Sequence, residues 1–260
     1  MDLGVKDKVA LILGGGEGVG QIVALMLAEE GAHISLADLD VSKVEESSNK
    51  VRTLGVKSKW FPVDVTDQEQ VNAVVQKTLD EFKRIDILVH IPGRGERKSF
   101  LDTTKEDWDF SINLNLYAVL NSSKAALDPM VKQKSGTMVF VASDAGRVGE
   151  NNNCVYSAAK AGVIAFCKAL AKELGRYNVR VNCVSPSALD TPGGIILREN
   201  LAKRMGKDRA ELDKRLLSNY VIRRFGFPQD VADAICFLVS NRADWITGQT
   251  LSVNGGYCMI

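Results

Sequence analysis

The feature that most constrains this chain lies near its start. An unbroken apolar run, Val9-Ala10-Leu11-Ile12-Leu13, passes directly into Gly14-Gly15-Gly16-Glu17-Gly18-Val19-Gly20 and then into a helical pattern. A strand apolar at every position has two faces to cover, which places it inside a parallel sheet. The glycines allow a tight turn that brings backbone N–H groups toward one point at a helix start, where an anion such as a pyrophosphate is favoured. Gly14, Gly18, Val19 and Gly20 are therefore candidate cofactor contacts.

The same beat continues along the chain. Strand-like runs at 33–38, 58–63, 85–91, 137–142, 179–184 and 251–253 alternate with helical patterns at 18–30, 42–54, 67–82, 105–132, 155–176 and 228–240. Right-handed crossovers then give a single α/β domain over 1–260, a doubly wound parallel sheet with helices on both faces. Between Pro192 and Arg224 the strand beat is lost, and this stretch reads as a mobile helical lid at the carboxyl edge of the sheet.

Asp38 closes the second strand-like run, 18 residues after Gly20. A carboxylate there accepts hydrogen bonds from ribose hydroxyls and repels a 2′-phosphate, which favours NAD over NADP. Glu17 and Leu39 agree, since neither offers a cation for a 2′-phosphate.

Farther along, Tyr156 and Lys160 stand at i and i+4 on one helix face, so a cation neighbours a phenol and is expected to lower its pKa. Ser143 ends the strand before that helix and shares the carboxyl edge.

These residues together make the chain resemble the short-chain dehydrogenase/reductase family, in its subgroup of about 250 residues, over nearly the whole length. Gly14, Gly18 and Gly20 match T-G-x-x-x-G-x-G; Asp64-Val65 match an adenine-contacting pair; Asn115, Ser143, Tyr156 and Lys160 match the catalytic tetrad. Asn182-Cys183-Val184-Ser185-Pro186, followed by Leu189 and Thr191, resembles the segment at the nicotinamide end. Thr247-Gly248-Gln249 and Asn254-Gly255-Gly256 resemble the carboxyl-terminal signature.

The resemblance implies a Rossmann fold, Tyr156 as acid/base, Lys160 on the nicotinamide ribose, Ser143 on the reacting oxygen and Asn115 ordering a water. It also implies a homotetramer assembled through the helices of Asn115 and Tyr156 and the apolar tail at 256–260. Gly93 stands in His90-Ile91-Pro92-Gly93 where the family has N-N-A-G, a departure expected to weaken cofactor binding, with His90 a structural histidine. Leu13 replaces the motif threonine, and Ser187 replaces a glycine after Pro186.

The expected reaction is NAD-dependent interconversion of a secondary alcohol and a ketone. The alternatives are a non-catalytic subunit of a hetero-oligomer and an NADPH-dependent ketone reductase. For the substrate, nine basic against four acidic residues between Pro192 and Arg224 point to an anion such as an acyl-CoA, with Arg94, Arg97 and Arg147 approaching the mouth. The segment 142–149 resembles that of enzymes for β-hydroxyacyl thioesters and alicyclic alcohols. Ile195, Ile196 and Leu197, with Trp108, Val148 and Val155, are the expected apolar lining.

With 33 basic and 32 acidic residues, no overall field favours nucleic acid or a membrane surface. No apolar run of membrane-span length stands out, and the start lacks a leader pattern. Five scattered cysteines read as buried reduced thiols, and two histidines without ligand spacing give no metal site. A cytoplasmic protein is expected.

Overall fold

The computed structural model describes residues 2–260. Seven strands form one parallel sheet: β1 (Val9–Leu13), β2 (His33–Asp38), β3 (Ser58–Pro62), β4 (Ile87–His90), β5 (Gly136–Val141), β6 (Val179–Pro186) and β7 (Thr250–Val253), in the spatial order β3-β2-β1-β4-β5-β6-β7. The order reverses between β1 and β4, and a crevice opens there at the carboxyl ends of the strands.

Alternation along β1 explains the two cores. Leu11 and Leu13 face one layer, where they join Val71, Val119, Val163 and Phe140; Ala10 and Ile12 face the other, with Val23, Leu27, Val44 and Ile235. The first layer is covered by α3 (Gln68–Phe82), α5 (Ala118–Gln133) and α7 (Cys154–Leu174), the second by α1 (Gly18–Glu29), α2 (Val41–Arg52) and α10 (Pro228–Val239). Each fully buried Leu, Ile or Val side chain contributes about 1.5–3 kcal/mol, so two dry faces hold the sheet that positions the site.

Several boundaries differ from the sequence reading. The long helix expected over 105–132 is α4 (Lys105–Ile112), a π turn at Asn113–Tyr117 and α5, so the widened turn falls on Asn115. The lid is indeed free of strands: α8 (Pro192–Met205) and α9 (Arg209–Leu217) follow each other, and the isolated bridge Leu189–Gly226 joins the two ends of the segment. A short α6 (Ala145–Val148) follows β5.

Two further expectations need correction. The segment Cys154–Tyr177 is long and apolar enough to cross a membrane by length and composition, with a mean hydropathy of 1.4. Its apolar face is spent on the sheet through Val163, Cys167, Leu170 and Leu174. Of the five thiols, Cys167, Cys183 and Cys236 are buried, but Cys154 is exposed and Cys258 is half-buried.

Candidate active site

The crevice between β1 and β4 is a cavity of about 550 Å³. Gly14, Gly18, Val19, Asp38, Asp64, Val65, Gly93, Ser143, Tyr156, Lys160, Leu189 and Thr191 all line it. Two residues expected at the site lie behind this lining, Gly20 and Asn115.

Gly20 works by its lack of a side chain. A Cβ there would sit 1.9 Å from the Gly14 carbonyl oxygen, so only glycine lets α1 begin this close to the end of β1. Gly14 and Gly18 take positive φ of 81° and 58°. Glu17, preceding α1, gives the helix start no side-chain cap, which leaves its first N–H groups free for an anion.

Asp38 accepts from Gly16 N at 2.9 Å through Oδ2 and from Asp40 N at 3.1 Å through Oδ1, which fixes the carboxylate beside the glycine loop. A cation unflagged by the sequence stands nearby. Lys43, in the first turn of α2, pairs with Glu17 at 2.9 Å and with Asp40 at 3.6 Å. Its signal was the i+5 position from Asp38, visible only once the helix start is known. At the adenine end, Asp64 accepts from Thr66, while Asn121 donates to the carbonyls of Val65 and Thr66. Asn121 too was missed, because it lies 56 residues from Val65.

His90 replaces the family asparagine and is fully buried. His90 Nδ1 lies 2.9 Å from Ser122 Oγ, which also donates to Val119 O at 3.0 Å, and Nε2 makes no hydrogen bond of ordinary geometry among the described residues. Burial pushes this imidazole down to about 3, with the Lys160 cation acting in the same direction. It is the structural histidine expected. Pro92 packs against Gly14, at 3.0 Å from where a Cβ would be, and lines the crevice without closing it.

Lys160 is buried and donates Nζ to Val141 O at 2.8 Å. Burial lowers it to about 8. Tyr156 departs from expectation: burial pushes the phenol up to about 12, opposed by a hydrogen bond to Ser143 and reinforced by Glu150. Lys160 Nζ lies 5.9 Å from the Tyr156 ring centroid and faces a carbonyl, so desolvation outweighs the expected lowering by the lysine.

Asn115 is committed to the loop after β4. Its Oδ1 accepts from Arg94 N at 2.9 Å, and its Nδ2 donates to Arg94 O at 3.0 Å and to Ser111 O at 2.9 Å. A Cβ on Gly93 would lie 2.7 Å from Lys160 Nζ and 2.9 Å from Asn115 Oδ1, so glycine is required where loop, lysine and asparagine meet.

A second chamber of about 590 Å³ adjoins the crevice and shares Ser143, Tyr156, Leu189 and Thr191 with it. Its wall carries polar pairs. Arg97 pairs with Glu150 at 3.2 Å, Asn153 donates to the same carboxylate at 3.3 Å, and Ser187 and Tyr220 share a hydrogen bond of 2.6 Å. Most of the apolar residues expected there from the sequence lie elsewhere. Trp108 stacks on Phe100 and bonds Thr103, Val148 is half exposed, and Val155 faces a separate cleft near Phe110. Leu197 reaches the chamber, Ile196 only the adjoining groove, and Ile195 neither.

The cationic lid is also quieter than its composition. Arg198 is buried, donates to Leu189 O and to Asp190, faces Asp213 and lies over Phe225. Lys207, Arg209 and Arg224 pair with Glu211, Glu199 and Asp230. Of the other arginines, Arg97 enters the chamber, whereas Arg94 turns to Glu96 and Phe110, and Arg147 bonds the carbonyls of Thr250 and Ile260.

Comparison with known proteins places this geometry. Residues 14–258 match the family profile described as Enoyl-(Acyl carrier protein) reductase. The chain is 34% identical over 252 residues to the 3-oxoacyl-(acyl-carrier-protein) reductase FabG of Thermotoga maritima, covering 97% of this chain and 98% of that one. It is 32% identical over 255 residues to 2,3-dihydro-2,3-dihydroxybenzoate dehydrogenase of Bacillus subtilis, covering 97% of both. The crystal structure of NAD+-bound xylitol dehydrogenase superposes with a TM-score of 0.91 at 28% identity, over 97% of this chain and 99% of that one. With its glycine cradle, its Ser143, Tyr156 and Lys160 on one crevice and these relatives, the chain belongs to the short-chain dehydrogenase/reductase family of oxidoreductases acting on CH–OH groups.

Proposed function

We propose that the protein oxidises a compact secondary alcohol to a ketone with NAD, the observation that carries this being Asp38 held at the glycine loop by Gly16 N. The residues fit a dinucleotide: Gly18 leaves open space on the crevice, Gly20 lets α1 begin beside the end of β1, the uncapped start of α1 offers N–H donors, and Asp38 occupies the place of a 2′-phosphate. Lys43 is a cation near that place, and Glu17 and Asp40 pair with it. When bound, the nicotinamide takes up the hydride that the alcohol carbon loses.

In this reading Ser143 holds the reacting oxygen and Tyr156 Oη removes the hydroxyl proton. Lys160 and Thr191 hold the nicotinamide end, and Asn115 keeps the 93–95 loop in register with Lys160. The raised phenol supports a hydrogen-bond donor to the ketone in one direction and a base that works best at alkaline pH in the other.

Of the two substrate classes expected from the sequence, the Glu150 carboxylate in the chamber favours a cyclic or otherwise compact alcohol over a β-hydroxyacyl-CoA. Four of the nine lid cations are already neutralised by neighbouring acids, which removes much of the support for an anionic tail. The five free thiols support a reducing, cytoplasmic setting. Exposed Phe110 and Tyr117 around the π turn, with Met259 and Ile260, support a homotetramer, which light scattering tests.

Titration with NADH and NADPH, followed by fluorescence, tests the cofactor. NADH is expected to bind in the micromolar range and NADPH at least about tenfold more weakly, with Asp38→Ala narrowing the gap. Equal binding of both would favour an NADPH-dependent ketone reductase, and binding of neither a non-catalytic subunit.

A further inference from the structure

We propose that Glu150 and Arg97 form a subsite for a second hydroxyl group next to the reacting carbon, so that the substrate is a vicinal diol or its α-hydroxyketone. This rests on the dehydrogenase reading above and names its substrate class.

The chamber beside Tyr156 holds one carboxylate, Glu150, whose side chain is 18% exposed. Its Oε2 accepts from Arg97 Nη2 at 3.2 Å and from Asn153 Nδ2 at 3.3 Å. Its Oε1 receives no hydrogen bond among the described residues and keeps access to solvent, on a residue that lines the chamber. Glu150 therefore offers a fixed, accepting oxygen while Arg97 offers N–H groups beside it.

The elements place this pair close to the chemistry. Asn153 precedes α7 and lies three residues before Tyr156. A Cβ on Gly95 would lie 3.2 Å from Asn153 Nδ2 and 3.3 Å from Tyr156 Cγ, so the amide that holds Glu150 and the phenol ring flank one backbone point. Glu150 is also near enough for its charge to act on the phenol.

The physical chemistry then selects the substituent. Closing a substrate over the chamber takes Glu150 Oε1 out of water, which costs free energy unless a donor replaces that water. A hydrocarbon substituent leaves the oxygen unpaired, and a carboxylate or phosphate at that spot meets like charge. A hydroxyl donates to Glu150 and accepts from Arg97, satisfying both. Sites built to bond a substrate hydroxyl reject the analogue lacking it strongly, because the protein partner is then stranded.

The test compares initial rates of NADH formation on matched pairs, 1,2-cyclohexanediol against cyclohexanol and 2,3-butanediol against 2-butanol, for the wild type, Glu150→Gln and Glu150→Leu. NADH titration of each variant checks that fold and cofactor site survive. The wild type is expected to prefer a diol by about tenfold or more in kcat/KM, mainly through KM. Glu150→Leu is expected to bring the diol-to-monoalcohol ratio to about one, and Glu150→Gln, which keeps an accepting carbonyl, to retain part of it.

Oxidation of diols and monoalcohols with equal efficiency by the wild type, or a ratio unmoved by Glu150→Leu, overturns the subsite while the dehydrogenase reading stands. Failure to oxidise any of the four alcohols, with NADH bound, overturns that reading and the subsite with it.

Discussion

The two halves of the site are built from different materials. The cofactor crevice is made by strand ends, glycines and backbone N–H groups, with Gly14, Gly20 and Asp38 fixed by the sheet and by α1. The substrate chamber is made by side chains carried on loops and the lid, Arg97, Glu150, Asn153 and Tyr220 among them. Backbone geometry tolerates little change, so the first half follows one pattern of glycines. Side chains on loops are exchanged without cost to the core, so the second half can vary its chemistry on the same frame.

The comparison breaks most visibly at the junction, where both halves meet on Tyr156. Tyr156→Phe removes the phenol proposed to take the alcohol proton, and kcat is expected to fall about 10²–10⁴-fold while NADH titration is little changed. A parallel loss of NADH affinity would make the tyrosine part of the crevice alone.

Within the crevice, Gly20→Ala forces a methyl group into the Gly14 carbonyl. Nucleotide binding is expected to be abolished in calorimetry, with a lower Tm. A variant that binds NADH normally would show that the cradle is softer than its packing.

A smaller effect sharpens the contrast in stability. His90 is held neutral in the fold and has an ordinary value of 6.5 when the chain unfolds. The unfolded chain therefore takes up the proton first. His90 carries its full stabilising share above pH 6.5 and loses it as pH falls from 6.5 toward 3, at up to about 1.4 kcal/mol per pH unit. His90→Asn is expected to flatten the decline of Tm between pH 7 and pH 5. The smallest effect is expected of Lys43→Ala, whose solvent-exposed pair with Glu17 leaves NADH affinity where it was in the same titration.

How much was legible in the sequence follows the same division. The βα alternation, the single sheet, the glycine loop, Asp38 and the Ser143, Tyr156 and Lys160 set could be read directly, because each rests on local period or on fixed spacing from a strand end. The π turn at Asn115 was hidden inside an unbroken helical pattern. Asn121, Lys43 and the Arg97–Glu150 pair were hidden for another reason: they are contacts across loops, up to 56 residues apart in the chain. Counting lid charges did not show that Arg198 is buried against Asp190 and Asp213, a pairing that composition does not carry. The phenol misled because i,i+4 spacing gives proximity but not desolvation.

Arg198 also has a kinetic consequence. It sits in the lid, yet its guanidinium grips Leu189 O and Asp190, on the segment that carries the nicotinamide-side residues Leu189 and Thr191. Anything that settles that segment settles the lid through the same guanidinium, and the linkage is reciprocal. A nucleotide that settles the segment is therefore expected to settle the floor of the chamber as well. Product-inhibition kinetics are expected to show an order of addition, with the nucleotide binding first.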